Sequence, residues 1–191
     1  ESTGGAAATL IRKVSVPSGA VDVTASNAKF GRVSRGFTVK LPGGVNSTGV
    51  SVINSSGVVV AGNVLVGPIN FGIGVTGSDP EIRDNRVICT SGAGGIGVIL
   101  LPAPGARLDR NSVEGCGSGY VGAGAGMVIT RNLAIDSVSS GFSLTDFASF
   151  TKNAAIGNRQ EGLVLNSGGS LGVLTGNAFI GNGTAGNCGI R

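Results

Sequence analysis

An all-β solenoid of about seven coils, a single-stranded parallel β-helix, is the fold this sequence predicts, and three observations predict it. Glycine makes up 36 of the 191 residues and charged residues only 13%, against ~7% and ~25% in an average domain, so the chain is built of strands and turns. Asn63, Asn85, Asn111, Asn132, Asn153 and Asn177 recur at spacings of 22, 26, 21, 21 and 24 residues, which suits a coil of three short strands and three turns rather than a helical repeat. Three places before each asparagine stands an apolar residue, namely Val60, Ile82, Leu108, Ile129, Phe150 and Leu174. The two-residue period of a strand points that column inward.

The elements of the coil follow in order. The segments Val58–Asn63, Pro80–Asn85, Ala106–Asn111, Met127–Asn132, Ala148–Asn153 and Gly172–Asn177 align without gaps, giving one strand and one corner per coil. Asparagine suits the corner because it tolerates left-handed backbone and its amide can bond to the Asn above and below, forming a ladder. Five residues later Pro68, Thr90, Cys116, Ser137, Asn158 and Asn182 form a second column, mostly of small or polar turn formers. A further strand opens with glycine and an apolar residue in Gly72-Ile73-Gly74-Val75, Gly95-Ile96-Gly97-Val98, Gly141-Phe142-Ser143-Leu144 and Gly162-Leu163-Val164-Leu165, and begins again at Gly189-Ile190. Gly36-Phe37-Thr38-Val39 and Gly49-Val50-Ser51-Val52 are earlier copies. The β-helix is therefore expected over 31–191, with 1–30 a cap or an irregular first coil, and the variation in spacing should fall in loops.

Segments such as Ile82-Arg83-Asp84-Asn85-Arg86-Val87 and Gly162-Leu163-Val164-Leu165 resemble the parallel β-helix repeat family of the broad pectate-lyase-like superfamily, over roughly 36–191. The resemblance implies a right-handed coil. It implies no single activity, because that superfamily includes pectate and alginate lyases, hexuronate epimerases, glycosidases, phage tailspikes, adhesins and periplasmic metal-delivery proteins. A secreted, periplasmic or cell-surface location is the expectation that goes with it.

Composition removes several chemistries. The chain contains no histidine, so it holds no Ser-His-Asp triad, no Cys-His nucleophile and no His-ligated metal. No apolar run reaches the ~18 residues of a membrane span. The net charge of +4 comes without a Lys/Arg-rich run, which argues against nucleic acid and mildly favours anionic partners. GxGxxG occurs at Gly72–Gly77, Gly92–Gly97 and Gly117–Gly122, but no helix follows any of them and glycine is abundant, so nucleotide binding is not expected. Cys89, Cys116 and Cys188 show no CxxC spacing, so no metal site is expected. Cys89 and Cys116 fall on neighbouring coils, either bridged or as buried thiols.

The surface chemistry concentrates near the ladder. The residue before each ladder asparagine reads Gly62, Asp84, Arg110, Arg131, Lys152 and Gly176. With coils about 4.8 Å apart, Arg110, Arg131 and Lys152 form a basic stripe matched to a polyanion such as a uronate chain. On this reading the protein is a non-catalytic β-helix that binds anionic polysaccharide or serves as a rigid structural segment, with no cofactor. The alternative is a polysaccharide lyase or epimerase acting on uronate chains. Asp79, Glu81, Asp84, Asp109 and Glu114 interleave with Arg83, Arg86, Arg107 and Arg110, and in superfamily lyases carboxylates commonly hold Ca²⁺ while an Arg or Lys acts as base. Asp84, Asp109 and Arg110 are the catalytic candidates in that case, with Arg131 close by, and Ca²⁺ enters only there. A glycosidase pair would combine Asp109 with Asp136 or Asp146.

Phe142, Phe147 and Phe150 are read as core, and the sequons at Asn46, Asn54 and Asn182 as turn chemistry. Neither end shows an obvious cap, so the expectation is either that the chain is a fragment, the plainer account, or that end-to-end or lateral packing of solenoids forms a homo-oligomer.

Overall fold

Inward and outward side chains alternate along the strands of the second sheet from residue 64 to 156 and along the short strands of the first at 81–83, 107–109 and 128–130, and the corners between sheets close the chain into a three-sided coil. The computed structural model describes residues 10–11, 21–23, 29–30, 38–40, 48–54, 56–90, 94–183 and 190. Asn46, Gly36-Phe37, Cys188 and Gly189 lie outside the described residues. The described chain consists of strands and turns without helix.

The first sheet runs through Leu10–Ile11, Lys29–Phe30, Val59–Ala61, Glu81–Arg83, Arg107–Asp109, Val128–Thr130, Phe147–Thr151 and Leu171–Thr175. The second runs through Thr38–Lys40, Val64–Gly67, Arg86–Cys89, Ser112–Glu114, Leu133–Ile135, Ala154–Ile156 and Ala178–Ile180. The third runs through Val21–Val23, Thr48–Val52, Phe71–Val75, Ile96–Leu100, Ser118–Gly122, Phe142–Leu144 and Leu163–Leu165. Every pairing is parallel, each strand meeting its counterpart one coil away. Among the described residues before 31, the strands at 10–11, 21–23 and 29–30 join these sheets.

The corner between the first and second sheets is two residues in each coil from Gly62-Asn63 to Gly176-Asn177. The longest coil, between Asn85 and Asn111, takes its extra residues in the loops 90–95 and 101–106. Length variation thus sits away from the ladder, because a tight corner whose amides bond above and below tolerates no insertion.

In register, Val60, Ile82, Leu108, Ile129 and Phe150 stack inside and are buried. Leu174, on the last coil, is 41% exposed. Tyr120 stacks on Phe142 with ring centroids 4.6 Å apart, and Phe142 meets Phe150 edge-on at 5.0 Å. Phe147 is buried with them, so all three phenylalanines are core. Burial raises the Tyr120 hydroxyl well above the ordinary phenol value while it donates to the Leu133 carbonyl.

Cys89 and Cys116 are joined in a disulfide across adjacent coils, with Cα atoms 4.9 Å apart and a sequence separation of 27. Cys89 is 7% exposed and Cys116 fully buried. Loop-closure entropy for that separation gives about 3.5 kcal/mol. Replacing both cysteines by serine should lower the unfolding free energy by about that amount. Urea unfolding of the variant beside the wild type checks this, and equal midpoints would show that the bridge contributes nothing.

Candidate functional site

The ladder corner organises the chemistry because its first residue is left-handed in every coil. Gly62, Asp84, Arg110, Arg131, Lys152 and Gly176 have φ of 67°, 55°, 52°, 57°, 57° and 65°. The second residue is the ladder asparagine. The Asn111 amide nitrogen donates to Ile82 O at 2.7 Å and to Asn132 Oδ1 at 2.9 Å, while its Oδ1 accepts from the Asn85 backbone N–H and side-chain amide. The pattern repeats from Asn63 to Asn177. A left-handed residue followed by a buried asparagine points the first side chain out to solvent and the second into the ladder.

The six corner residues form one edge of the solenoid, as the spacing predicts, but the cations on it are not equivalent. Arg110 donates from Nε and Nη2 to Asp84 at 2.6 and 3.2 Å, and its Nη1 lies 2.6 Å from Asp109 Oδ2. Arg131 donates from Nε and Nη2 to the two oxygens of Asp109 at 2.8 and 2.9 Å. Arg83 pairs with Glu81 and Asp84, and Arg86 with Glu114. Among the described residues, Lys152 has no carboxylate within 4.0 Å. The stripe is therefore a neutralised upper part held by Asp84 and Asp109 and a lower part with net positive charge.

The hydrogen bond from Arg110 holds the Asp84 carboxyl below its usual value, partial burial opposes it, and the Arg110 and Arg83 charges add to the lowering. The same bond raises Arg110. A depressed folded-state pKa stabilises fully above the unfolded value, near 4, and that stabilisation is lost as pH falls through the folded value. Asp84→Asn should be less stable than wild type at pH 7, and the difference should shrink as pH falls below about 4. Urea midpoints followed down in pH report it, and a gap that stays constant through the acid titration would contradict it.

The carboxylates do not converge on a cation site. Among the described residues, no group of three Asp, Glu or Cys side chains could hold a metal ion, and Glu81, Asp84, Asp109 and Glu114 each face a guanidinium. These residues do not fit Ca²⁺. The glycosidase pairing also finds no cleft: Asp109 ends a strand of the first sheet, Asp136 follows a strand of the second, and Asp146 follows a strand of the third, accepting a hydrogen bond from Ser170 N–H. These are three different corners.

Three features were missed or left undeveloped in the sequence reading. The second column continues the ladder, with Ser137 N–H donating to Asn158 Oδ1 and Asn158 to Asn182 Oδ1; only the last two members are asparagine, which hid the signal. Asn182 is engaged there, whereas Asn54 is exposed and left-handed. Thr130, Thr151 and Thr175 stack beside the cations, with the first two hydroxyls 3.3 Å apart. A hollow of about 210 Å³ on the third sheet is lined by Phe71, Gly74, Ile99, Leu101 and the hydroxyls of Thr48, Ser51 and Thr76, away from every ion pair.

This geometry defines a ladder-stabilised parallel β-solenoid with one charged edge. The chain belongs to the right-handed β-helix family, whose model, described as a right handed beta helix region, matches residues 19–190. No curated protein and no solved structure matches it.

Proposed function

We propose that this chain is a rigid, non-catalytic β-helical segment of a secreted or cell-surface protein, and that the lower part of its charged edge contacts anionic polysaccharide. The carrying observation is the ion pairing on that edge. Asp84 and Asp109 cross-link three successive coils through Arg110 and Arg131, so the groups a lyase would need as metal ligands or base act as ties between rungs. The buried disulfide suits an oxidising compartment. Leu171, Val173, Leu174 and Ile180, exposed on the last described coil, suit packing against a further coil or a second solenoid.

The test is incubation with polygalacturonate, alginate and heparin, with and without Ca²⁺, read by ultraviolet absorbance of unsaturated product beside retention on the same immobilised polymers. Salt-sensitive retention without product is the expected result. A Ca²⁺-dependent rise in product would replace this reading by a lyase. Neither signal would remove the polysaccharide and leave the rigid segment.

A further inference from the structure

Lys152 holds its charge at a backbone cost that no interaction within the described chain offsets. Its φ is 57°, in the region where an L side chain crowds its own carbonyl. Two coils of the same edge place glycine there, Gly62 and Gly176, without disturbing the adjoining ladder bonds. At Asp84, Arg110 and Arg131 the strain accompanies ion pairs that tie coils together. At Lys152 it accompanies no carboxylate among the described residues, and the side chain is exposed. Backbone strain of this kind is a reason to look for a role outside the fold.

The surroundings fit that partner. One coil above, Arg131 engages Asp109 through Nε and Nη2, which leaves Nη1 without a carboxylate among the described residues. Thr130, Thr151 and Thr175 line the adjacent column, with Thr151 immediately before Lys152. Two cationic side chains on neighbouring coils, whose backbones run about 4.8 Å apart, flanked by hydroxyls and with no acid beside the lower one, suit anionic groups on a linear chain bearing further hydroxyls.

We infer that the edge divides its work: Arg110 ties coils together, and Lys152, assisted by Arg131 Nη1 and the Thr151 hydroxyl, is the anion-contacting residue for a linear glycan bearing carboxylate or sulfate groups. The inference rests on the polysaccharide reading above and narrows it to one residue.

The experiment titrates polygalacturonate and heparin oligosaccharides separately into the full chain at several salt concentrations, beside thermal unfolding. Lys152→Gly should keep or raise Tm, by up to about 2–4 °C, while affinity falls about five-fold and the slope of log affinity against log salt drops by about one. Lys152→Arg should retain binding. The charge-neutral double substitution Asp84→Asn with Arg110→Gln should lower Tm and leave affinity within about two-fold, since one negative and one positive charge leave together. Binding of polygalacturonate shows that carboxylate suffices, and binding of heparin alone shows that sulfate is required. If Lys152→Gly binds as wild type does, or if the double substitution weakens binding as much, the division of work is overturned while the polysaccharide reading stands. If the wild type binds neither oligosaccharide, that reading itself fails.

Discussion

Asn111→Ala should cost about 4 kcal/mol, far more than a surface corner ordinarily would. The Asn111 side chain makes four hydrogen bonds at a position 2% exposed. Truncation removes the Asn111 partner of the Ile82 carbonyl and of the Asn85 backbone N–H in a dry corner, where a buried unsatisfied group costs about 1–3 kcal/mol, and leaves the Asn85 amide with only its bonds to the Val60 and Arg83 carbonyls. The loss propagates, since Asn85 also bridges upward to Asn63, and networks of this kind exceed the sum of their pairs. Asn111→Asp should fall between wild type and alanine, keeping the acceptor for Asn85 while losing the donor to Ile82. Asn177→Ala, on the half-open last coil, should cost markedly less. Urea unfolding of the three variants ranks them; equal midpoints for Asn111→Ala and Asn177→Ala would show that the ladder does not act cooperatively.

Gly97→Val should be at least as damaging, at about 4 kcal/mol or more, for a different reason. A Cβ built on Gly97 lies 2.2 Å from Val113 Cγ1 and 2.8 Å from the Gly119 carbonyl oxygen. Val113 can be shortened, but the carbonyl belongs to the next coil and cannot move without breaking its ladder. Val113→Ala in the same chain should therefore restore only part of the loss. Full rescue, measured by unfolding of the double variant, would mean that the side chain alone sets the limit. The same crowding recurs at Gly72, where a Cβ would meet the Gly97 carbonyl oxygen at 2.4 Å, and at Gly119, where the Gly141 carbonyl oxygen lies 2.3 Å away. This accounts for the glycine at the second place of these strands of the third sheet.

The two variants also separate local from tertiary information in the chain. The one-dimensional pattern sets Gly95 level with Gly72 and the register corrects this, pairing Val98 with Ile73 and so placing Gly97 there, whereas Asn111 announces itself in the pattern, because a solenoid repeats its environment and a repeated environment repeats its residue. The inward column of Val60, Ile82, Leu108, Ile129 and Phe150 was legible for the same reason. The second ladder was not, since only Asn158 and Asn182 carry the amide, while Cys116 and Ser137 occupy the same column. The left-handed corner residues were visible as a column of charge, but their conformation was not, because Arg110, Arg131 and Lys152 are not of the types that favour positive φ, as Asp84 is.

By itself the sequence determined the coil length, the ladder, the core column and the absence of histidine chemistry, since each is a property of residue type at a fixed period. Tertiary structure alone decided that Cys89 meets Cys116, that Asp84 and Asp109 clasp Arg110 and Arg131, and that Lys152 stands apart from them. Those outcomes depend on which side chain of one coil reaches which of the next. That reach is set by side-chain length and direction across a rung spacing of about 4.8 Å, and residues more than 20 positions apart in the chain carry no local trace of it.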